Sequence, residues 1–160
     1  MKRVVVTGLG LLTSIGNNYK DTWKNLINCE TGIKKITHFD TTGLTCEIAG
    51  FISHNTSDKF FYDKSNHLDL KDIKRNDRFI QYGIAAAKMA IEDAGLEDID
   101  ESEKNKIGVS VGSGIGGLET IYEGSLTVDQ KGPRKLSPFF IPSSLVNLLS
   151  GQISIKYGFK

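Results

Sequence analysis

Two short β-branched runs, each closed by glycines and each followed by a helical pattern, constrain this chain more than any other feature. Val4-Val5-Val6 is bounded by Gly8 and Gly10, the profile of a strand buried on both faces. Asn17 or Asn18 is then placed to cap a helix in which Tyr19, Trp23, Leu26 and Ile27 share one stripe, with Gly32 ending it. Ile107-Gly108-Val109-Ser110-Val111 is the second buried-strand candidate. It runs into Gly112-Ser113-Gly114-Ile115-Gly116-Gly117, and a further helix is expected from Leu118. Strand, helix, strand, helix in that order argues an α/β domain. At 160 residues there is room for one domain of ordinary size.

Between these units the pattern changes. Residues 33 to 58 mix short apolar pieces with Thr, Gly and Asn, which reads as brief strands and loops. Residues 59 to 78 are highly charged and read as a solvated helix surface carrying Lys71, Lys74, Arg75 and Arg78. A clearer helix is expected from about Asp77 to Ala94, with Ile80, Ile84, Ala87 and Ile91 on one stripe and Gly95 at its C-terminal αL position. Ala85, Ala86, Ala87 and Ala90 would let a neighbour pack closely against it. All three prolines, at 133, 138 and 142, fall between residues 131 and 142, which predicts an extended, irregular stretch. Pro142 suits the first turn of a last helix carrying Leu145, Leu148 and Leu149.

Composition removes several function classes. Twenty Lys and Arg against nineteen Asp and Glu leave +1, so overall charge recruits neither nucleic acid nor membrane. No apolar run approaches the roughly 20 residues of a spanning helix. Cys29 and Cys46 lack CxxC spacing and are expected to be buried, inert thiols, and a reducing, cytoplasmic setting is the simpler assumption. His38, His54 and His67 belong to no HExxH or Cys/His cluster, so neither a metal nor another cofactor is expected.

Glycines 112, 114 and 117 formally fit G-x-G-x-x-G between a strand and a helix. No acidic residue follows about 20 positions later; Pro133-Arg134-Lys135 occupies that region. Tight turning and close backbone approach account for these glycines better than a nucleotide does. Ser113 is not in G-x-S-x-G, because Val111 holds the first glycine position. The residues alone describe an α/β scaffold without a complete catalytic set.

Four separated motifs add a resemblance. Arg3-Val-Val-Val-Thr-Gly-Leu-Gly10, Phe79-Ile-Gln-Tyr-Gly83, Gly112-Ser-Gly-Ile-Gly-Gly-Leu118 and Gly132-Pro-Arg-Lys-Leu-Ser-Pro-Phe-Phe-Ile-Pro-Ser143 together resemble a β-ketoacyl-acyl-carrier-protein synthase, the condensing enzyme of type II bacterial fatty acid synthesis. The similarity runs from residue 1 to residue 160 and is weakest over 53 to 70. It implies a thiolase-like layered α/β fold of two similar halves, present here as most of the N-terminal half, and activity as a homodimer. It implies no catalytic residue within this chain. The family's nucleophilic cysteine follows shortly after the segment resembled by Tyr157-Gly-Phe-Lys160, and two histidines and a lysine come much later.

What the chain would contribute is walls and a docking face. Ile115 matches the family's gating isoleucine beside the acyl pocket, and Phe140 an aromatic that the neighbouring subunit lends to that pocket. Arg134 and Lys135 match a basic pair where the acidic acyl carrier protein docks, and Lys71, Lys74 and Arg75 lie in a helical region used there as well. Asn76 stands where the family usually has an apolar residue, and a buried Asn would need partners. The alternative reading is a non-catalytic carrier-protein-binding or assembly module that pairs with a separately encoded C-terminal half.

Overall fold

In a computed structural model, which describes residues 2–160, the order of elements is α1 (Tyr19–Ile27), β1 (Ile33–Lys35), β2 (Ile48–Gly50), α2 (Leu70–Arg75), α3 (Arg78–Asp93), α4 (Glu101–Lys104), α5 (Leu118–Lys131), α6 (Phe140–Ser144) and α7 (Leu148–Tyr157). The organising element is α3. Asp77 caps it by accepting from the Phe79 amide, and Gly95 follows it with φ +66°, a conformation that favours glycine. Ile80, Ile84 and Ala85 are sealed from solvent and form the core with Tyr62, Leu68, Met89, Leu149 and Ile153. The stripe therefore faces α7 and the 62–68 segment, and three fully buried large side chains, Tyr62, Ile80 and Ile84, mark its centre.

The alanines of α3 do admit a close neighbour. A Cβ placed on Gly10 would lie 1.8 Å from the Ala86 carbonyl oxygen, and one on Gly8 would lie 2.3 Å from that of Ala90. The 8–10 backbone thus lies directly on the helix, and the Leu9 amide donates to Asp93 Oδ2 at 2.9 Å. No other residue type fits at either glycine.

Several expectations need correction. Val4–Val6 and Ile107–Val111 form no strand ladder: the sheet among the described residues is the antiparallel pair β1–β2, registered Ile33 with Gly50 and Lys35 with Ile48. Val4 is 92% and Val6 79% exposed. A doubly buried strand requires strands on both sides, and within these 160 residues the first segment meets α3 on its glycine face. The Ile107 carbonyl instead accepts from the Lys160 amide at 3.0 Å. The stripe on α1 is solvent-facing, with Trp23 63% exposed and no residue of the helix buried. Asn18 is its cap, as one of the two asparagines expected.

That helix stops at Ile27 rather than near Gly32, because Asn28 caps it and Cys29 turns left-handed at φ +56°. Gly32 is instead buried against Ser14. Cys29 and Cys46 are both exposed free thiols, one in this turn and one in a loop, which overturns the expectation of burial. The charged stretch yields a short 3-10 turn at Lys64–Asn66 and then α2, capped by Asp69. The proline region is less extended than expected. Pro133–Lys135 forms a 3-10 turn, and Pro142 lies in the first turn of α6, which the extended Leu145 separates from α7. No helix among the described residues is long and apolar enough to cross a membrane.

Candidate functional site

One carboxylate organises the region around the glycine-rich loop. Asp77 is buried between α2 and α3. Its Oδ1 accepts from the Phe79 amide at 3.2 Å, while Oδ2 accepts from the Thr120 amide at 3.0 Å and the Thr120 hydroxyl at 2.7 Å. A single side chain therefore caps the N-termini of two helices whose starts are distant in sequence. Gly116 takes φ +82° just before α5, and the Gly117 amide donates to the Ser144 carbonyl at 3.0 Å. A Cβ on Gly117 would lie 2.7 Å from Ser144 Cα, so close approach explains that glycine. Gly112 and Gly114 face open space.

Ile115 stands in this loop, 66% exposed, immediately ahead of α5. Phe140 is half-buried against the middle of the same helix: a Cβ on Gly124 would meet its Cε2 at 2.4 Å. Gly124, Val128, Leu136 and Phe140 line a cleft of about 390 Å³. The two expected pocket residues thus occupy different levels of α5, one before its first turn and one at its waist.

The five basic residues are exposed, and among the described residues none has a carboxylate within ion-pair distance. The nearest acids on α2 are engaged elsewhere, since Lys156 pairs with Asp72 at 2.5 Å and with Asp69 at 3.6 Å. Arg75 reaches from α2 to the segment that follows the 134–135 turn. Its guanidinium lies 4.8 Å from the centroid of Phe139, which follows Lys135 by four positions. Lys71, Arg75, Phe139, Pro142 and Ile155 line a cleft of about 410 Å³ beneath this contact. Lys74 lies on α2 without lining that cleft, and Arg134 and Lys135 project from the 3-10 turn. Asn76 is buried, and its backbone carbonyl accepts from Gln81 Nε2 at 2.7 Å.

Residues 1–160 match the family described as Beta-ketoacyl synthase, N-terminal domain, from the first residue to the last. The chain belongs to the β-ketoacyl synthase family. It is 45% identical over 159 residues to a protein named 3-oxoacyl-[acyl-carrier-protein] synthase 2 from Vibrio cholerae, and 43% identical to one of the same name from Staphylococcus aureus. Each alignment covers 99% of this chain and 36% of the relative, so the chain spans little more than a third of the curated relatives it matches. Among solved structures, the ishigamide ketosynthase/chain length factor superposes with a TM-score of 0.76 at 25% identity, over 97% of this chain and 37% of that one. A ketosynthase in complex with its type II polyketide acyl-carrier protein gives 0.72 at 25% identity, over 99% and 41%. The thiolase-like α/β class expected for a β-ketoacyl synthase is therefore the fold observed, in part of its extent.

Sequence reasoning missed Gly124 and the second role of Asp77. A helix-capping aspartate before an apolar pattern is legible, but nothing local announces that its other oxygen reaches Thr120.

Proposed function

We propose that this chain is the N-terminal portion of a 3-oxoacyl-[acyl-carrier-protein] synthase of the type 2 class, supplying acyl-pocket walls and a carrier-protein docking face. The reaction of that class loads an acyl group from a carrier thioester onto a cysteine thiolate. Malonyl carrier protein then loses carbon dioxide, and the resulting carbanion attacks the acyl-enzyme carbonyl, expelling the thiolate. Two histidines, a lysine and the nucleophile lie outside these 160 residues in this reading. Ile115 would gate the acyl pocket, and Phe140 would enter it from the neighbouring subunit of a homodimer. The cytoplasm is the compartment this chemistry implies.

What supports the docking part is the Arg75–Phe139 contact, which sets α2 against the segment that follows the 134–135 turn. Lys71, Lys74, Arg75, Arg134 and Lys135 face solvent with no carboxylate in ion-pair distance among the described residues, the arrangement that attracts an acidic protein despite a near-neutral total. Each exposed pair formed with a carrier protein contributes at most about 1 kcal/mol. Specificity then comes from the number and placement of charges, and the effect falls mainly on the association rate.

The test is binding of acyl carrier protein by stopped-flow or biosensor kinetics at two salt concentrations. A double Arg134→Glu, Lys135→Glu change should slow association, and raising salt should slow the unmodified protein in the same direction, because such charges are screened over roughly 8–10 Å. Ile115→Phe should leave docking unchanged and, in a complete synthase, alter which acyl chains are accepted. Binding indifferent to both salt and charge reversal would remove this surface from the reading. The non-catalytic alternative shares the docking face and parts from the enzyme reading in the condensation assay of a complete synthase.

A further inference from the structure

One cavity lies away from the glycine-rich loop and the docking face. It measures about 570 Å³ and is lined by Lys64, Arg78, His38, His54, Thr37 and Tyr82, among others. Two cations meet there. Lys64 is half-buried and has no carboxylate within ion-pair distance among the described residues. Arg78 pairs through one guanidinium nitrogen with Glu119 at 2.5 Å, leaving its other donors free. Of the other acids nearby, Asp77 is occupied by the three hydrogen bonds from Phe79 and Thr120, and Asp58, bonded to the cavity-lining Ser53, is paired with Lys34. Burial, then the Arg78 charge, lowers the Lys64 ammonium below its ordinary value against the opposing pull of Glu119.

His54 lines the same cavity, and its two hydrogen bonds fit the neutral ring. Its Nδ1 lies 3.0 Å from the Tyr62 carbonyl, which can only accept, so Nδ1 carries the proton. Its Nε2, 3.0 Å from the Tyr82 hydroxyl, then accepts. Burial first, with the Lys64 and Arg78 charges behind it, lowers the His54 pKa against the pull of the Tyr62 carbonyl. Two positive groups lining one cavity, with Glu119 paired to only one of them, suit an anion, because a bound anion relieves their repulsion and gains charge-assisted hydrogen bonds. Lys64, Arg78 and Glu119 leave a net positive charge that favours an anionic group, and the volume exceeds what a halide or bare oxyanion fills.

We propose that this cavity binds the phosphate group of a small phosphomonoester, held between Lys64 and Arg78. The site is independent of the carrier-protein reading and uses none of its residues. The test is isothermal titration of the folded 160-residue chain with inorganic phosphate and with glycerol 3-phosphate at constant ionic strength. Both should bind saturably, with glycerol 3-phosphate the tighter if the organic part occupies the remaining volume. Lys64→Gln should weaken binding by about tenfold or more, the factor carried by one charged hydrogen bond, while Lys64→Arg retains it. Glu119→Gln should strengthen binding by releasing Arg78, a gain that misfolding cannot produce. The Arg134→Glu, Lys135→Glu double change should leave it unaltered. Absence of saturable binding, no response to Lys64→Gln and Glu119→Gln, or loss of binding in the 134–135 variant would each overturn the proposal.

Discussion

Replacing Asp77 by alanine should cost far more than an ordinary cap substitution. The loss has two parts. Removing the α3 cap costs about 1 kcal/mol, the usual value for Asp at that position. The Thr120 amide and hydroxyl, part-buried and bonded to Asp77 Oδ2 at 3.0 and 2.7 Å, are then left without their acceptor. An unsatisfied buried donor costs about 1–3 kcal/mol, which the fixed amide bears while the rotatable hydroxyl can turn to another partner. Together these give about 2–4 kcal/mol, a large share of the roughly 5–15 kcal/mol that stabilises a domain. At about 2–4 °C per kcal/mol for a chain of this size, the midpoint should fall by about 5–15 °C.

Equilibrium urea unfolding followed by far-ultraviolet circular dichroism measures the loss, and a double-mutant cycle assigns it. Thr120→Ala in the Asp77→Ala background should add little, so the cycle should return a coupling of about 0.5–3 kcal/mol, the range for residues in contact. Asp77→Asn, which keeps one carbonyl oxygen, should fall between the parent and the alanine variant. A midpoint unchanged in Asp77→Ala, or strictly additive single losses, would refute the double-cap account.

Three further outcomes follow from other parts of the molecule. Gly10→Ala should destabilise by about 1–3 kcal/mol, as overpacking does, because its Cβ would lie 1.8 Å from the Ala86 carbonyl; thermal unfolding measures it. The Lys34 partner, followed by the Phe60 amide, holds the Asp58 carboxyl at about 2, below its ordinary 3.8. A depressed carboxylate stabilises fully above the unfolded value and loses its effect as pH falls through the folded one. The stability gap between parent and Asp58→Asn should therefore be constant above about pH 4 and close towards pH 2 in acid titrations. The isolated 160 residues should give no turnover in a condensation assay with acyl and malonyl carrier proteins. Cys29, at a helix C-terminus, and Cys46, in a loop, both lack the strand-to-helix setting of an activated thiol. Turnover of any kind would contradict this.

The parts of the fold that were legible are those governed by residues close in sequence. Asp77, the Ile80–Ile84–Ile91 stripe and Gly95 specify α3 through its cap, its face and its end, all within twenty positions. The alanine run was equally informative, since small side chains on a helix imply a close neighbour, and Gly8 and Gly10 occupy that position. Of the candidate site, the basic residues were correctly read as solvent-facing. That α2 and the 134–139 segment meet through Arg75 and Phe139 depends on a tertiary contact that no local pattern encodes.

The misread elements share a different cause. An apolar pattern reports how much a segment gains by burial, not which partner provides it. Val4–Val6 and the Trp23 face of α1 have the composition of buried elements and stand exposed, because burial is a property of a pair of surfaces. Helix breaks were misplaced for a related reason. Gly32 and Pro142 looked like the decisive residues, yet α1 ends where Cys29 turns left-handed, and α6 parts from α7 where Leu145 becomes extended. A left-handed cysteine is disfavoured and an extended backbone like that of Leu145 is open to any residue, so neither break is announced by its residue type. Both breaks are imposed by what packs around them: Gly32 is held against Ser14, and Ser144, the residue before Leu145, gives its carbonyl to the Gly117 amide. The same Ser144–Gly117 bond holds the start of α5 from one side while Asp77 holds it from the other. The break between α6 and α7 and the placement of the Ile115 loop are thus one packing solution, distributed over residues 77, 117, 120 and 144, and a reading that moves along the chain meets its parts separately.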